Sequence, residues 1–233
     1  MGAARRLYVY VVSAVSLLAL ATGVGTLLTT LFTEVEDALG RSSMGGWDVS
    51  REQLSLSVAL IAVGLPLWGF HWWLATRGIR ADGPQGDEER RSAVRGWYLA
   101  IVAAVSGAVL LVASTTLVAL VLTRLLGGDR GDSWSGALAA VAVALPVWAI
   151  HVRMRVGELR RARMAGAAAW VTRLYRYGAT FTGALVLAFG AAGLIGTVLS
   201  LLVGRPDFGP GDTWWRNAVA GDAAAILAGS VAW

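Results

Sequence analysis

His71 and His151 are the two histidines of the chain, and they stand at matching places. Each closes a similar heptad, Leu65-Pro66-Leu67-Trp68-Gly69-Phe70-His71 in one segment and Leu145-Pro146-Val147-Trp148-Ala149-Ile150-His151 in the other. Two imidazoles at one depth on neighbouring helices suit the axial ligation of haem b or a chlorin, chemistry that needs both rings facing a dry bundle interior. The same residues also fit a structural role. Each His lies within two turns of a basic flank, Arg77 or Arg153, and Trp68 and Trp148 sit one turn earlier on the same helical face, as in an aromatic belt at a membrane interface. The expectation is therefore that both histidines are polar anchors at headgroup level, with haem ligation as the alternative.

Few other residues offer chemistry. With no cysteine, disulfides, thiolate metal sites and CxxC redox centres are excluded. GxSxG, HExxH, the Walker loop and GxGxxG do not occur, so no catalytic or metal-binding residue is assigned. Asp222 is the one acid inside an apolar run, but it lies five residues after Asn217 and reads as a hydrated helix start. Pro66 and Pro146 stand inside apolar runs and should kink their helices.

The elements that position these residues follow from composition. The chain is 56% hydrophobic and 15% charged, with a mean hydropathy of +0.61, whereas soluble domains carry about 25% charged residues. It belongs in a bilayer. All 20 basic residues are Arg and sit between long apolar runs, so a pI near 10.4 reflects membrane topology and no nucleic-acid partner is expected. The runs 7–33, 53–76, 96–123, 133–152 and 177–204 lack Asp, Glu and Arg, and each reaches the roughly 20 residues that span a hydrocarbon core. A sixth run, 217–233, holds only Asp222 and reads as a sixth span cut short.

The predicted fold is all-α: a polytopic transmembrane bundle of six helices arranged as three parallel two-helix repeats, 1–80, 81–160 and 161–233. The two heptads carry the repeat at an offset of 80 residues, and Arg6-Leu7-Tyr8-Val9-Tyr10, Arg95-Gly96-Trp97-Tyr98 and Arg173-Leu174-Tyr175-Arg176-Tyr177 open the odd helices alike. In the third unit Ser230-Val231-Ala232-Trp233 falls where Pro-x-Trp is expected, which suggests a longer parent chain. Parallel units argue against an inverted-repeat transporter. Arg5 and Arg6 before an apolar run resemble a signal peptide, but the run continues to Thr33 and its opening recurs. Segment 81–91 reads as a flexible linker, and Ser50 with Gln53 as a capping box.

Orientation follows from Arg counting. The N-terminus and the second and fourth loops hold fourteen Arg against five acids, and the opposite face six Arg against ten acids, which places the N-terminus in the cytoplasm. Two-helix units that open with Arg-x-Tyr and close with Pro-x-Trp-x-x-His-Trp, here Pro66, Trp68, His71 and Trp72, resemble an uncharacterised bacterial integral-membrane family, a domain of unknown function. The resemblance covers the first unit, part of the second, where Val152 replaces the second Trp, and the start of the third. It implies stacked hairpins and no activity. The Arg-only, Ala-rich and Gly-rich usage points to a high-GC bacterium, and hence to a multi-pass protein of the inner membrane.

Gly183, Gly190, Gly193 and Gly196 stand along the fifth run and predict close helix packing. The expected function is non-enzymatic, a scaffold or accessory subunit of a larger membrane assembly. The alternatives are a haem- or chlorin-binding redox module using His71 and His151, and, more weakly, a small channel or carrier. Expected partners are membrane lipids, anionic on the Arg-rich face, and other membrane subunits or further copies of the chain; no resident cofactor is required.

Overall fold

The computed structural model describes residues 2–39, 51–79, 84–128, 133–161, 167–203 and 214–232. These residues form helices and no strand: α1 (Ala3–Ala38), α2 (Arg51–Arg77), α3 (Pro84–Arg90), α4 (Ala93–Leu125), α5 (Ser135–Arg161), α6 (Ala167–Val203) and α7 (Trp214–Ala232). The described residues of the five charge-free runs fall almost entirely on α1, α2, α4, α5 and α6, and these five helices are long and apolar enough to cross a membrane. The chain is a multi-pass membrane protein. The sixth run is helical as α7 but does not join that group, because Arg216, Asn217 and Asp222 make its first turns polar. Ser50, the expected cap of α2, lies outside the described residues.

Helices α1, α4 and α6, of 36, 33 and 37 residues, are about 50 to 56 Å long, well beyond the roughly 30 Å of hydrocarbon. Apolarity ends before helicity does. Helix α5 continues through Arg153–Arg161, and α6 begins ten residues before its apolar run, because Arg, Ala, Leu and Glu are good helix formers. Segment 84–90, expected as linker, is instead the short helix α3.

Neighbouring helices run antiparallel, with α1 against α2, α4 against α5 and α6 against α7; α1 also packs on α5, and α4 on α7 and α6. The bundle is apolar outside and small inside. Leu18, Val112, Phe181, Phe189 and Leu202 are exposed, while Ala75, Ala103, Ala139, Ala220, Ser13 and Ser57 are buried. Lipid is as apolar as leucine, so association depends on close approach and polar contacts rather than on burying large side chains. Gly64 of α2 shows the first of these: a Cβ there would lie 2.9 Å from the Leu20 backbone N and 3.1 Å from the Ser16 carbonyl of α1. Gly23 of α1 is the reciprocal contact, with the Ser57 carbonyl of α2 2.8 Å from its Cβ position.

Two polar ties close the end at which α1 and α4 finish. Glu36, buried at 3% exposure, accepts hydrogen bonds from the Ser133 hydroxyl and, at 3.3 Å, from the Trp134 backbone N–H, and so caps the start of α5. Arg216 of α7 donates to the Gly127 carbonyl at 2.7 Å, where φ of +69° ends α4 in a conformation that suits glycine.

Candidate functional site

The opposite, Arg-rich end holds a buried polar cluster drawn from four helices. Arg95 of α4 is 0% exposed. Its Nε and Nη2 both donate to Glu158 Oε1 of α5, the former at 2.8 Å, and its Nη1 donates to the Tyr10 hydroxyl of α1 at 3.0 Å. Tyr10 in turn donates to Glu89 of α3 at 3.3 Å. Arg6 of α1 binds Glu89 at 2.9 Å and Glu88 at 2.8 Å. Helix α3 is therefore ordered by charge: it lays a buried carboxylate over the Arg6–Tyr10 turn. The Arg6 guanidinium holds the exposed Glu88 carboxyl below its ordinary range.

Helix α5 supplies one face of the cluster at a helical period, with His151, Arg155 and Glu158 all buried. His151 Nδ1 lies 2.7 Å from the Val147 carbonyl. A carbonyl only accepts, so that nitrogen carries the proton of the neutral ring, and Nε2 accepts from the Tyr98 hydroxyl at 3.3 Å. His71 repeats the first bond, with Nδ1 2.8 Å from the Leu67 carbonyl.

Both histidines are buried, at 6% and 1% exposure, and neither bonds a loop carbonyl or an Arg, as an anchor turned to the headgroups would. The structure does not bring the two rings into contact. His71 packs between Tyr8 and Phe70, with centroids 5.8 and 5.4 Å away, whereas His151 packs against Tyr98 and Trp72 at 5.6 and 5.3 Å. Trp72 thus reaches from α2 onto the His151 ring. Trp68 stacks on Trp72 at 5.8 Å with its indole N–H buried, and Trp148 packs against Gly107, so these tryptophans serve helix contacts rather than an outward belt. Pro66 and Pro146 lie inside unbroken helices.

Among the sequence-selected glycines, Gly190 and Gly193 meet α7: a Cβ on Gly190 would lie 2.7 Å from the Asp222 carbonyl, and one on Gly193 would run into the Asp222 carboxylate. Gly183 offers its carbonyl to the α7 glycine Gly229, 2.8 Å from that residue's Cβ position. Gly196 faces open space. Asp222 is engaged with Thr197 of α6. The residue read as a hydrated helix start also makes a contact within the α6–α7 hairpin.

A cavity of about 720 Å³ lies beside the cluster, between α4, α6, the last turns of α7 and Trp148. Its walls are mostly small and apolar, such as Ala100, Ala104, Gly107, Gly178 and Ala179. Arg155 of α5 reaches two residues of its wall, Val171 and Tyr175. Its Nη2 donates to the Val171 carbonyl at 3.0 Å, its guanidinium lies 4.5 Å over the Tyr175 ring, and its buried Nη1 has no hydrogen-bond partner.

Sequence reasoning, which ended the fourth span at residue 152, named Arg95 only as an opening residue of the repeat and took Glu158, Glu89 and Arg155 only as loop charges. The i, i+4, i+7 spacing of His151, Arg155 and Glu158 was the available signal. A family described as a domain of unknown function (DUF5671) matches residues 6–135, which include Pro66–Trp72 and stop where α5 begins. No curated protein and no solved structure matches the chain.

Proposed function

Since the chain belongs to the DUF5671 family, whose description names no activity, we propose on geometric grounds that it is a non-enzymatic membrane scaffold or accessory subunit. One observation carries this reading: Arg6, Tyr10, Glu89, Arg95 and Glu158 at the Arg-rich end are committed to one another across α1, α3, α4 and α5. Groups that bind or transform a substrate must be aimed at it, whereas a cross-linked cluster fixes which helices are neighbours and in what register, a role attested for buried polar groups elsewhere.

The hairpins α1–α2, α4–α5 and α6–α7 are read as three parallel units, 1–80, 81–160 and 161–233. Two correspondences support this. A tyrosine ring of the first helix meets the histidine of the second in both hairpins, Tyr8 with His71 and Tyr98 with His151, and α1 packs on α5 as α4 packs on α7. The Arg-rich end is placed in the cytoplasm of a bacterial cell, against anionic lipid. Because the chain has no cysteine, an impermeant thiol reagent applied to intact cells tests this: Leu125→Cys should react and Arg91→Cys should not.

The functional test pairs a spectrum with a native gel. Protein extracted mildly from cells supplied with a haem precursor should show no Soret band and should migrate in a complex larger than the monomer. A Soret band abolished by both His71→Ala and His151→Ala would replace the scaffold with the haem-binding redox module.

A further inference from the structure

We propose that the cleft between α4 and α6 binds one acyl chain of an anionic phospholipid, with the headgroup phosphate held by Arg155. The cleft volume of about 720 Å³ falls within the range of ligand cavities, roughly 300 to 1,000 Å³. Its shape suits a chain: the α4 wall runs from Trp97 to Val118 and the α6 wall from Val171 to Thr182, about 32 and 16 Å of helix. It therefore extends from the Arg-rich end deep into the hydrocarbon. The lining gives an acyl chain dispersion contacts and few polar groups to desolvate.

The charge at its mouth selects the head. Arg155 is 6% exposed, donates Nη2 to Val171 and stacks on Tyr175, two residues of the cleft wall, and its Nη1 is left without an acceptor. Glu158, the nearest acid on α5, is occupied by Arg95. A buried guanidinium N–H with no partner is a standing energetic cost that a phosphate oxygen removes. Tyr175 lies over the guanidinium, so the head enters by displacing that ring. Arg173 and Arg176, exposed on α6 beside Tyr175, add positive potential at the entrance. The cleft is partly open rather than enclosed, so a phospholipid can seat one chain in it and leave the second in the bilayer. The proposal stands apart from the scaffold reading.

The test uses the whole chain in phosphatidylcholine vesicles carrying a trace of photoactivatable phosphatidylglycerol, phosphatidylcholine or fatty acid, with crosslinked peptides identified by mass spectrometry. The phosphatidylglycerol probe should label the cleft segments of α4 and α6 roughly fivefold more than the phosphatidylcholine probe, because both carry the phosphate that Arg155 binds but the choline ammonium cancels the net charge that Arg173 and Arg176 attract. Gly178→Leu fills the cleft from a position where an added Cβ meets nothing within 4 Å. It should suppress labelling there and leave labelling of the exposed face of α2 unchanged. Arg155→Gln should lower labelling by both phospholipids about tenfold, the ratio given by one charge-assisted hydrogen bond, and Arg155→Lys should retain much of it. Equal labelling by both phospholipids, stronger labelling by the fatty acid, indifference to Gly178→Leu, or crosslinking of these segments to a second copy in place of lipid would each overturn the proposal.

Discussion

Glu158→Gln removes the carboxylate that neutralises Arg95 while keeping the side chain's shape, and it tests the buried cluster most directly. In the protein, Arg95 is fully buried, its Nε and Nη2 are both satisfied by Glu158, and only the Tyr10 hydroxyl remains on Nη1. A surface ion pair contributes about 0 to 1 kcal/mol. Breaking a buried one strands a charge away from water and costs about 3 to 5 kcal/mol, and burial of both partners puts this pair in the second class. Joint replacement by Arg95→Met and Glu158→Met leaves no stranded charge and should cost far less than the two single changes together, a coupling of opposite sign to their sum. The assay is reversible unfolding in mixed micelles, followed by the fluorescence of the 11 tryptophans. A cost below about 1 kcal/mol for Glu158→Gln, or strict additivity in the double variant, would refute the reasoning.

Three further outcomes follow from the contacts. Gly190→Ala should force α6 and α7 apart at the Asp222 carbonyl and lower the unfolding midpoint, whereas Gly196→Ala, which meets open space, should be neutral or add up to about 1 kcal/mol from helix propensity; equal effects would sink the assigned glycine roles. Tyr98→Phe should cost about 1 to 3 kcal/mol by leaving His151 Nε2 buried without its donor, measurable in the same unfolding assay. Arg6 depresses the Glu88 carboxyl, so its contribution is present above the ordinary Glu range near pH 4.3 and is lost as pH falls through the lower folded value; the thermal advantage of wild type over Glu88→Gln should hold at neutral pH and fade in acid.

The five spans were legible because a charge-free run of more than 20 residues has one inexpensive solution in a bilayer, a helix with its backbone bonds satisfied internally. The matching Pro-x-Trp-x-x-His heptads were legible for a related reason: residue types repeated at one spacing mark equivalent turns without reference to any neighbour. Helix ends were not. Helices α5 and α6 run on through arginines because helicity depends on backbone propensity as well as on apolarity, and α3 forms where its carboxylates meet Arg6 and Tyr10.

The functional cluster lay further from view. Arg95 and Glu158 are 63 residues apart, and Arg6 and Glu89 are 83 apart. An Arg in a loop count is only a topological charge; whether it is buried and paired depends on which helix lies across from it. Sequence alone determined that the chain crosses a membrane, and which residue types recur at equivalent turns, since partition and periodicity are properties of single segments. The tertiary structure decided that His151 meets Tyr98 and Trp72 rather than His71, that Gly190 is a contact and Gly196 is not, and that Arg155 meets Val171 and Tyr175 of a cleft wall. Those outcomes depend on the rotation and offset of each helix against its neighbours, quantities set by packing many side chains at once.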